Sequence, residues 1–387
     1  MDLRVEHTQI PMFSLAARQT VQQPFRADFV VPDTMPDAAE IVQSEGDLCL
    51  WRLDVGDGCA ELEGELALRI CCLPEEGGAP FGVPADVPVR ITMRAEEIAR
   101  GMQPVISCRP AEVNVVLLHS RKLRVQGTVD CELALYRADA LRVTTSLGDG
   151  EPGLFTRRTA VRIPIVTDVL EQVFTVAETL PLRAGFPQDG RLLTHRSEIL
   201  PAEPAAENGH VILGGRIRTE AVYADAQSGQ TVSETLETPF SQLLDLQAGE
   251  AAPSCAEATL HLTSVELHVR TDEQAIDAEY HVVAQVLCRA EVPAELLTDA
   301  YSVHGALTPE WGEIALGEGG TVRQIVSAEL EDDRPDRGEA SVTLVRRTEQ
   351  ADLWALAKAY SSSEDAIRAA NPETEPPSKW LLIPRLG

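Results

Sequence analysis

Apolar and polar residues alternate along most of this chain with a period of two. Leu123, Val125, Gly127, Val129, Cys131, Leu133 and Leu135 alternate with Arg124, Gln126, Thr128, Asp130, Glu132, Ala134 and Tyr136, the pattern of a half-buried strand. Leu62 to Cys72 and Leu213 to Tyr223 repeat it. Val113, Val115 and Leu117 read as a further strand, joined to the first through the polar turn His119-Ser120-Arg121-Lys122. Leu260 to Val269 does likewise, turning at Thr271-Asp272-Glu273. Few stretches before Leu353 hold a helical period. The body is therefore expected to be mainly β and mostly antiparallel, a sandwich or open barrel with one wet face.

The alternation is duplicated. Leu62-Glu63-Gly64-Glu65-Leu66 matches Leu213-Gly214-Gly215-Arg216-Ile217 at an offset of 151 residues. The same offset pairs Met35-Pro36-Asp37 with Phe186-Pro187-Gln188. It also pairs Val125, Val129, Cys131, Leu133 and Leu135 with Ile276, Tyr280, Val282, Ala284 and Val286. Widely spaced blocks sharing one offset predict two superposable β-units, with gaps around residues 74–108 and 225–255. Leu297 to Glu329 reads as part of a further strand pair, and Glu331 to Glu339 as a charged linker that leaves the tail free to reach a partner.

The period changes near the C-terminus, where Val342 to Pro384 reads strand, helix, helix, strand. Leu353, Leu356, Ala357 and Tyr360 fall on one face of a helix. Asp352 stands at its N-cap, and Ser361-Ser362-Ser363-Glu364-Asp365 supplies a second cap with acids in the first turn. Ala366, Ile367 and Ala370 give the second helix a buried side, and Asn371-Pro372 stops it. Trp380 to Pro384 closes the motif as a strand.

This tail resembles a LysM module through Leu353, Trp354, Ala357, Tyr360, Ile367, Asn371, Ile383 and Pro384. The turn that in LysM modules reads Gly-Asp-Thr is Gln350-Ala351-Asp352 here, and the glycine before the last strand is replaced near Ser378-Lys379. Trp354 and Tyr360 read as core residues. Upstream, Pro32-Asp33-Thr34-Met35-Pro36-Asp37-Ala38-Ala39-Glu40-Ile41, with Leu62-Glu63-Gly64 and the hairpin ending at Tyr136, resembles the SPOCS domain of spore-coat proteins. In the second unit the loop is reduced to Phe186-Pro187-Gln188-Asp189-Gly190. Two SPOCS-like units followed by a LysM-like module is similar to the arrangement in coat-morphogenetic proteins of the SipL and SpoVID type.

The resemblance implies tandem antiparallel β-sandwich-like SPOCS domains at 1–150 and 151–296. It places a partial β-unit with the charged linker at 297–338 and a small βααβ LysM-like module at 339–387. It implies a non-enzymatic spore-envelope assembly protein that tethers or recruits coat-basement proteins at the forespore surface, from the mother-cell cytoplasm. The contact surface would be Gln350, Ala351, Asp352 and Leu353 with the facing Ala370, Asn371, Pro372 and Glu373. The partner would be a coat-basement ATPase of the SpoIVA type, or peptidoglycan or its precursor. The alternative function is a peptidoglycan- or N-acetylglucosamine-binding protein acting through the same groove; a hydrolase accessory subunit is a third reading. Glycine lets a backbone approach a sugar closely; its absence here favours a protein, and Asp352, Glu373 and Glu375 suit a basic patch.

Composition adds limits. At 387 residues the chain is long enough for two or three domains. A net charge of −28 argues against nucleic acid or anionic lipid as electrostatic partners. No apolar run approaches the roughly 20 residues of a membrane span, and Met1 to His7 lacks the pattern of a signal peptide; a cytoplasmic protein without membrane insertion is expected. The eight cysteines, Cys49, Cys59, Cys71, Cys72, Cys108, Cys131, Cys255 and Cys288, form no C-x-x-C pair. They are expected as free, mostly buried thiols, with Cys71 and Cys72 facing opposite sides of a strand. Gly148-Asp149-Gly150-Glu151-Pro152-Gly153 has the letters of a dinucleotide loop without its strand–helix context and reads as a surface turn. His261 and His268, seven apart, are expected on opposite faces of a strand. No metal, cofactor or catalytic residue is assigned.

Overall fold

The computed structural model describes residues 1–182, 190–207, 209–225, 228–246, 253–270, 273–316, 319–332, 341–346, 352–372 and 380–386. The first repeat supplies β1 (Val5–Val30), β2 (Ala38–Val55), β3 (Cys59–Pro74), β4 (Phe81–Arg94), β5 (Gln103–His119) and β6 (Lys122–Leu147). The second supplies β7 (Leu154–Pro181), β8 (Gly190–Pro201), the short β9 (Ala205–Glu207), β10 (His210–Asp225), β11 (Thr231–Asp245), β12 (Cys255–Arg270) and β13 (Ala275–Ser302). Then come β14 (Gly305–Ala315) and β15 (Thr321–Asp332). The tail is β16 (Val342–Arg346), α1 (Leu353–Ala359), α2 (Glu364–Ala370) and β17 (Trp380–Pro384). The chain is mainly β, in several antiparallel sheets, with a small β/α region at its C-terminus.

The 151-residue offset reappears in the topology. β2-β3-β4 form one sheet and β8-β10-β11 another, with β3 and β10 at the centres. Their bounds, Cys59–Pro74 and His210–Asp225, differ by 151 at both ends. The remaining strands make a six-stranded sheet, β12-β13-β7-β1-β6-β5, whose halves mirror each other about the β7–β1 pair. Burial follows the same phase: Leu62, Leu66 and Ile70 are buried on β3, as are Leu213, Ile217 and Ala221 on β10. One core joins Leu62, Leu66, Val87 and Ile91 to Leu123, Val125, Val129 and Leu133. A second joins Val211, Leu213 and Ile217 to Tyr280, Val282, Ala284 and Val286.

Two glycines show why the repeated motif needs a residue without a Cβ. At Gly64 a Cβ would run into the carbonyl oxygen of Cys49, and at Gly215 it would sit 2.6 Å from the carbonyl oxygen of Leu200. Cys49 and Leu200 are themselves 151 residues apart, so both copies bring a neighbouring strand onto the glycine of the central strand. The outer strands are blunted by prolines, Pro84 and Pro88 on β4 and Pro104 and Pro110 on β5, which cannot donate to an added strand.

The loop between β1 and β2 is wrapped around Arg121, in the β5–β6 turn. Its guanidinium donates to the Asp33 and Asp37 carboxylates, each at 2.9 Å, and to the Met35 and Val31 carbonyls at 2.9 and 3.1 Å. A planar fork of five donors suits four acceptors arranged this way. The equivalent loop of the second repeat, 183–189, lies outside the described residues.

The chain divides into two compact units that interleave in sequence. The larger holds Met12–Asp139 and Val166–Ala290; the smaller holds Met1–Pro11, Ala140–Ile165 and Glu291–Gly387. The larger unit contains most of both repeats, and buried polar bonds cross its seam. The Asp47 carboxylate accepts from the Ser197 amide at 2.6 Å and lies 3.2 Å from His195 Nδ1. Gln285 accepts from the Ile106 amide at 2.7 Å and donates to Glu171 at 2.9 Å. Apolar contacts join them: Cys71 packs with Leu193 and Ala224, while Cys72 points into the first core. Ala134 and Tyr136, expected on the wet face of β6, are buried with Val166, Val169 and Leu287. A sequence pattern cannot show that a second repeat will cover a strand's outer face.

The smaller unit is built from the ends of β1, β6, β7 and β13, the β14–β15 hairpin and the tail. Leu3, Leu147, Leu297, Ile325 and Leu330 form its main core. A strand pair is present from Gly305↔Asp332 to Ala315↔Thr321, with a bulge between Glu310 and Trp311, while Leu297–Ser302, expected to belong to it, is the end of β13. The expected surface turn links β6 to β7, with Gly148, Gly150 and Gly153 all at positive φ.

Two expectations fail on β-bulges. Cys108 and Cys131 are not free: they oppose each other across β5–β6 and form a disulfide with Cα atoms 4.2 Å apart. The register set at the His119↔Lys122 turn would face Cys108 with Leu133; two bulges bring Cys131 there instead. A bulge between Leu262 and Ser264 likewise switches the core-facing positions of β12 from Ala256, Ala258, Leu260 and Leu262 to Val265, Leu267 and Val269. His261 and His268 thus share a face, not opposite faces. Seven residues at about 3.3 Å each keep them too far apart to share a metal.

Candidate partner-binding site

The tail folds as its sequence directs. Asp352 caps α1 by accepting from the Trp354 amide at 3.1 Å, and Ser363 caps α2 by accepting from the Ala366 amide at 3.1 Å. Glu364 and Asp365 occupy the first turn of α2, where the helix dipole favours anions. β16 and β17 pair antiparallel from Val342↔Pro384 to Arg346↔Trp380. Trp354, Ala357, Ile367, Leu381 and Ile383 form the buried core of the module. Tyr360, expected in that core, is instead 37% exposed, because the α1 core face turns about Trp354 and Ala357.

The expected contact residues have several fates. Gln350, Ala351 and Glu373 lie outside the described residues. Asp352, besides capping α1, pairs with Arg157 at 3.1 Å. Leu353 is half-buried against the module core, and Ala370 is half-buried on α2. Asn371 works structurally: its amide donates to the Ile367 and Leu382 carbonyls at 2.7 and 2.6 Å and accepts from the Leu382 amide at 2.8 Å. That stitches α2 to β17 and leaves the side chain little capacity for a ligand. Pro372 is exposed.

Within its unit the tail packs on other segments of the chain; residues 333–339 of the expected linker lie outside the described residues. The end of β13 and the start of β7 pack on α1. Trp354 Nε1 donates to the Asp299 carboxylate at 2.7 Å, and Lys358 Nζ reaches the same carboxylate at 2.5 Å. Tyr301 stands edge-on to Trp354, ring centroids 4.9 Å apart, and stacks on Phe155 at 5.2 Å. Its hydroxyl donates to the Ser362 carbonyl at 2.9 Å, and the Arg157 guanidinium lies 6.0 Å over the Trp354 ring. Burial works against charge on Asp299, but bonds from Lys358 and Trp354 outweigh it and hold its carboxyl below the usual value. Sequence reading missed Phe155, Arg157, Asp299, Tyr301 and Lys358, for they lie on three separate segments of the chain with no shared motif.

A second concavity, about 200 Å³, lies at the seam of the larger unit and is lined by Asp47, Cys49, Arg69, Asp86 and His195. Cysteine, histidine and aspartate side by side invite comparison with a nucleophilic site. The chemistry is against it: burial, then the charges of Asp47, Glu65 and Asp86, push the Cys49 thiol up to about 12. A nucleophilic cysteine needs its thiolate near neutral pH. Among the described residues no group of His, Cys, Asp and Glu is placed to hold a metal ion, and no helix is long and apolar enough to cross a membrane. Comparison with protein families, curated proteins and solved structures finds no match to this chain.

Proposed function

We propose that this protein is a non-enzymatic assembly protein of the spore envelope. In this reading its two β-repeats are SPOCS-like domains that mediate contacts with other coat proteins. Its tail is a LysM-like module that recognises a protein of the coat basement, an ATPase of the SpoIVA type, at the forespore surface in the mother-cell cytoplasm. Support comes from the duplicated three-stranded sheets at a single offset, followed by a βααβ tail, in the order of the resemblance.

The observation that carries a protein partner over a glycan is the state of the tail's polar groups. Asp352 is used by the α1 cap and by Arg157, and the Asn371 amide is used by α2 and β17. Among the described residues of the site these two side chains are thus already engaged, and no glycine stands in the turn Gln350-Ala351-Asp352 to open the backbone to a sugar. Calorimetry of the full chain against chitohexaose and against a coat-basement ATPase tests the reading. Binding to the ATPase that weakens with salt, and none to chitohexaose, is the expected result. Saturable micromolar binding of chitohexaose would replace it with the carbohydrate-binding reading.

A further inference from the structure

The face of α1 is filled by a strand of the same chain, and the way it is filled describes a ligand. Asp299 supplies one carboxylate to two donors, Trp354 Nε1 and Lys358 Nζ. Two residues on, Tyr301 presents its ring edge-on to Trp354 and its hydroxyl to the Ser362 carbonyl. Residues two apart on a strand point the same way, so a single extended segment satisfies every one of these groups. The charged part of the contact is open to solvent. Lys358 and Asp299 keep 45% and 26% of their side-chain surface in solvent, and Arg157 and Asp352 keep 50% each. Tyr301 is buried with Trp354, Ala357 and Ile367, so its ring carries the apolar part of the contact, while the exposed ion pairs around it hold weakly.

We propose that Asp299–Tyr301 is a built-in pseudo-ligand, and that the α1 face it covers accepts, when released, an extended protein segment with a carboxylate two residues before an aromatic ring. The proposal rests on the reading of the tail as a protein-binding module and specifies what that module recognises. Lys358 reads the carboxylate by charge, and Trp354 reads it by hydrogen bond and the aromatic ring by edge contact. In the docked state the face is closed, so the chain's own strand sets the threshold that an outside segment must exceed.

The test uses the full chain and a fluorescein-labelled peptide with the sequence of residues 297–303. Asp299→Asn weakens the pseudo-ligand and leaves the α1 face intact; Lys358→Met breaks the same bond from the tail side and damages the face. Hydrogen exchange at the α1 amides should rise about tenfold or more in both variants. Only Asp299→Asn should bind the peptide about tenfold more tightly than the unaltered chain. A peptide carrying asparagine in place of the aspartate should lose that gain. Unchanged protection of α1 in both variants would refute the latch, and opening without peptide binding would refute the recognition. An equal gain in both variants would show that opening alone, not the Lys358 contact, explains binding. The same two variants separate this proposal from the functional reading. Full binding of a coat-basement ATPase by the unaltered chain, with no gain in Asp299→Asn, would sink the latch alone. Capture of the peptide, with no coat protein bound by any chain, would sink the functional reading alone.

Discussion

Replacing Gly64, Gly214 and Gly215 by alanine, one at a time, tests whether the two repeats share one structural constraint. A Cβ at Gly64 would meet the Cys49 carbonyl oxygen and, at 2.8 Å, the Leu50 Cδ2. At Gly215 it would meet the Leu200 carbonyl oxygen at 2.6 Å and the Phe240 ring at 2.8 Å. The nearest atom to a Cβ at Gly214 is the Phe240 carbonyl oxygen at 3.9 Å, an ordinary contact. Overpacking costs about 1–3 kcal/mol, and a backbone carbonyl cannot escape by changing rotamer, so Gly64→Ala and Gly215→Ala should each cost about 3 kcal/mol. Gly214→Ala should be within about 0.5 kcal/mol of neutral, since alanine also reduces the freedom of the unfolded chain. Urea titration gives the overall change as a shifted midpoint at constant slope. Hydrogen exchange at the amides of β3 and β10 then reads each repeat separately. A loss at Gly214→Ala equal to that at Gly215→Ala, or a negligible loss at Gly64→Ala, would refute the shared constraint.

Four further outcomes are expected. Arg121→Lys should destabilise the first repeat nearly as much as Arg121→Ala, by about 1–3 kcal/mol, because a single ammonium cannot reach the four acceptors held by the guanidinium; full stability in the lysine variant by urea titration would contradict this. Asp47→Ala should cost about 1–3 kcal/mol by leaving the Ser197 amide without its acceptor, and a double-mutant cycle with His195→Ala should show coupling across the 3.2 Å approach of the two side chains; strict additivity would remove the pair from the seam. Thiol titration of the denatured, unreduced protein should find six thiols, those of Cys49, Cys59, Cys71, Cys72, Cys255 and Cys288, and eight after reduction; eight without reductant would exclude the Cys108–Cys131 bond. Because the Asp299 carboxyl is held below the usual aspartate value when docked, its contribution to holding the tail is complete above that usual value and fades as pH falls through the lower docked one; α1 exchange, corrected for its intrinsic pH dependence, should rise there, and an identical rise in Asp299→Asn would disprove the assignment.

The sequence by itself determined the elements. Period-two alternation gave β3, β6 and β10 their buried faces, and the 151-residue offset foretold two central strands whose bounds differ by that number. Asp352, Ser363 and Asn371 marked the ends of two short helices correctly, because capping depends on neighbours within a few residues. Register needed more. Each bulge adds one residue and reverses the side chains beyond it: one bulge put His261 on the face of His268, and two together slid the β5–β6 pairing by two residues to bring Cys131 opposite Cys108. Burial on both faces of β6 at Ala134 and Tyr136 came from the packing of one repeat on the other. The covered α1 face is the extreme case: Trp354 lies 55 residues from Asp299, and Asp352 lies 195 from Arg157. Periodicity reports which way a side chain points relative to its own strand or helix; what stands opposite is decided by tertiary packing alone.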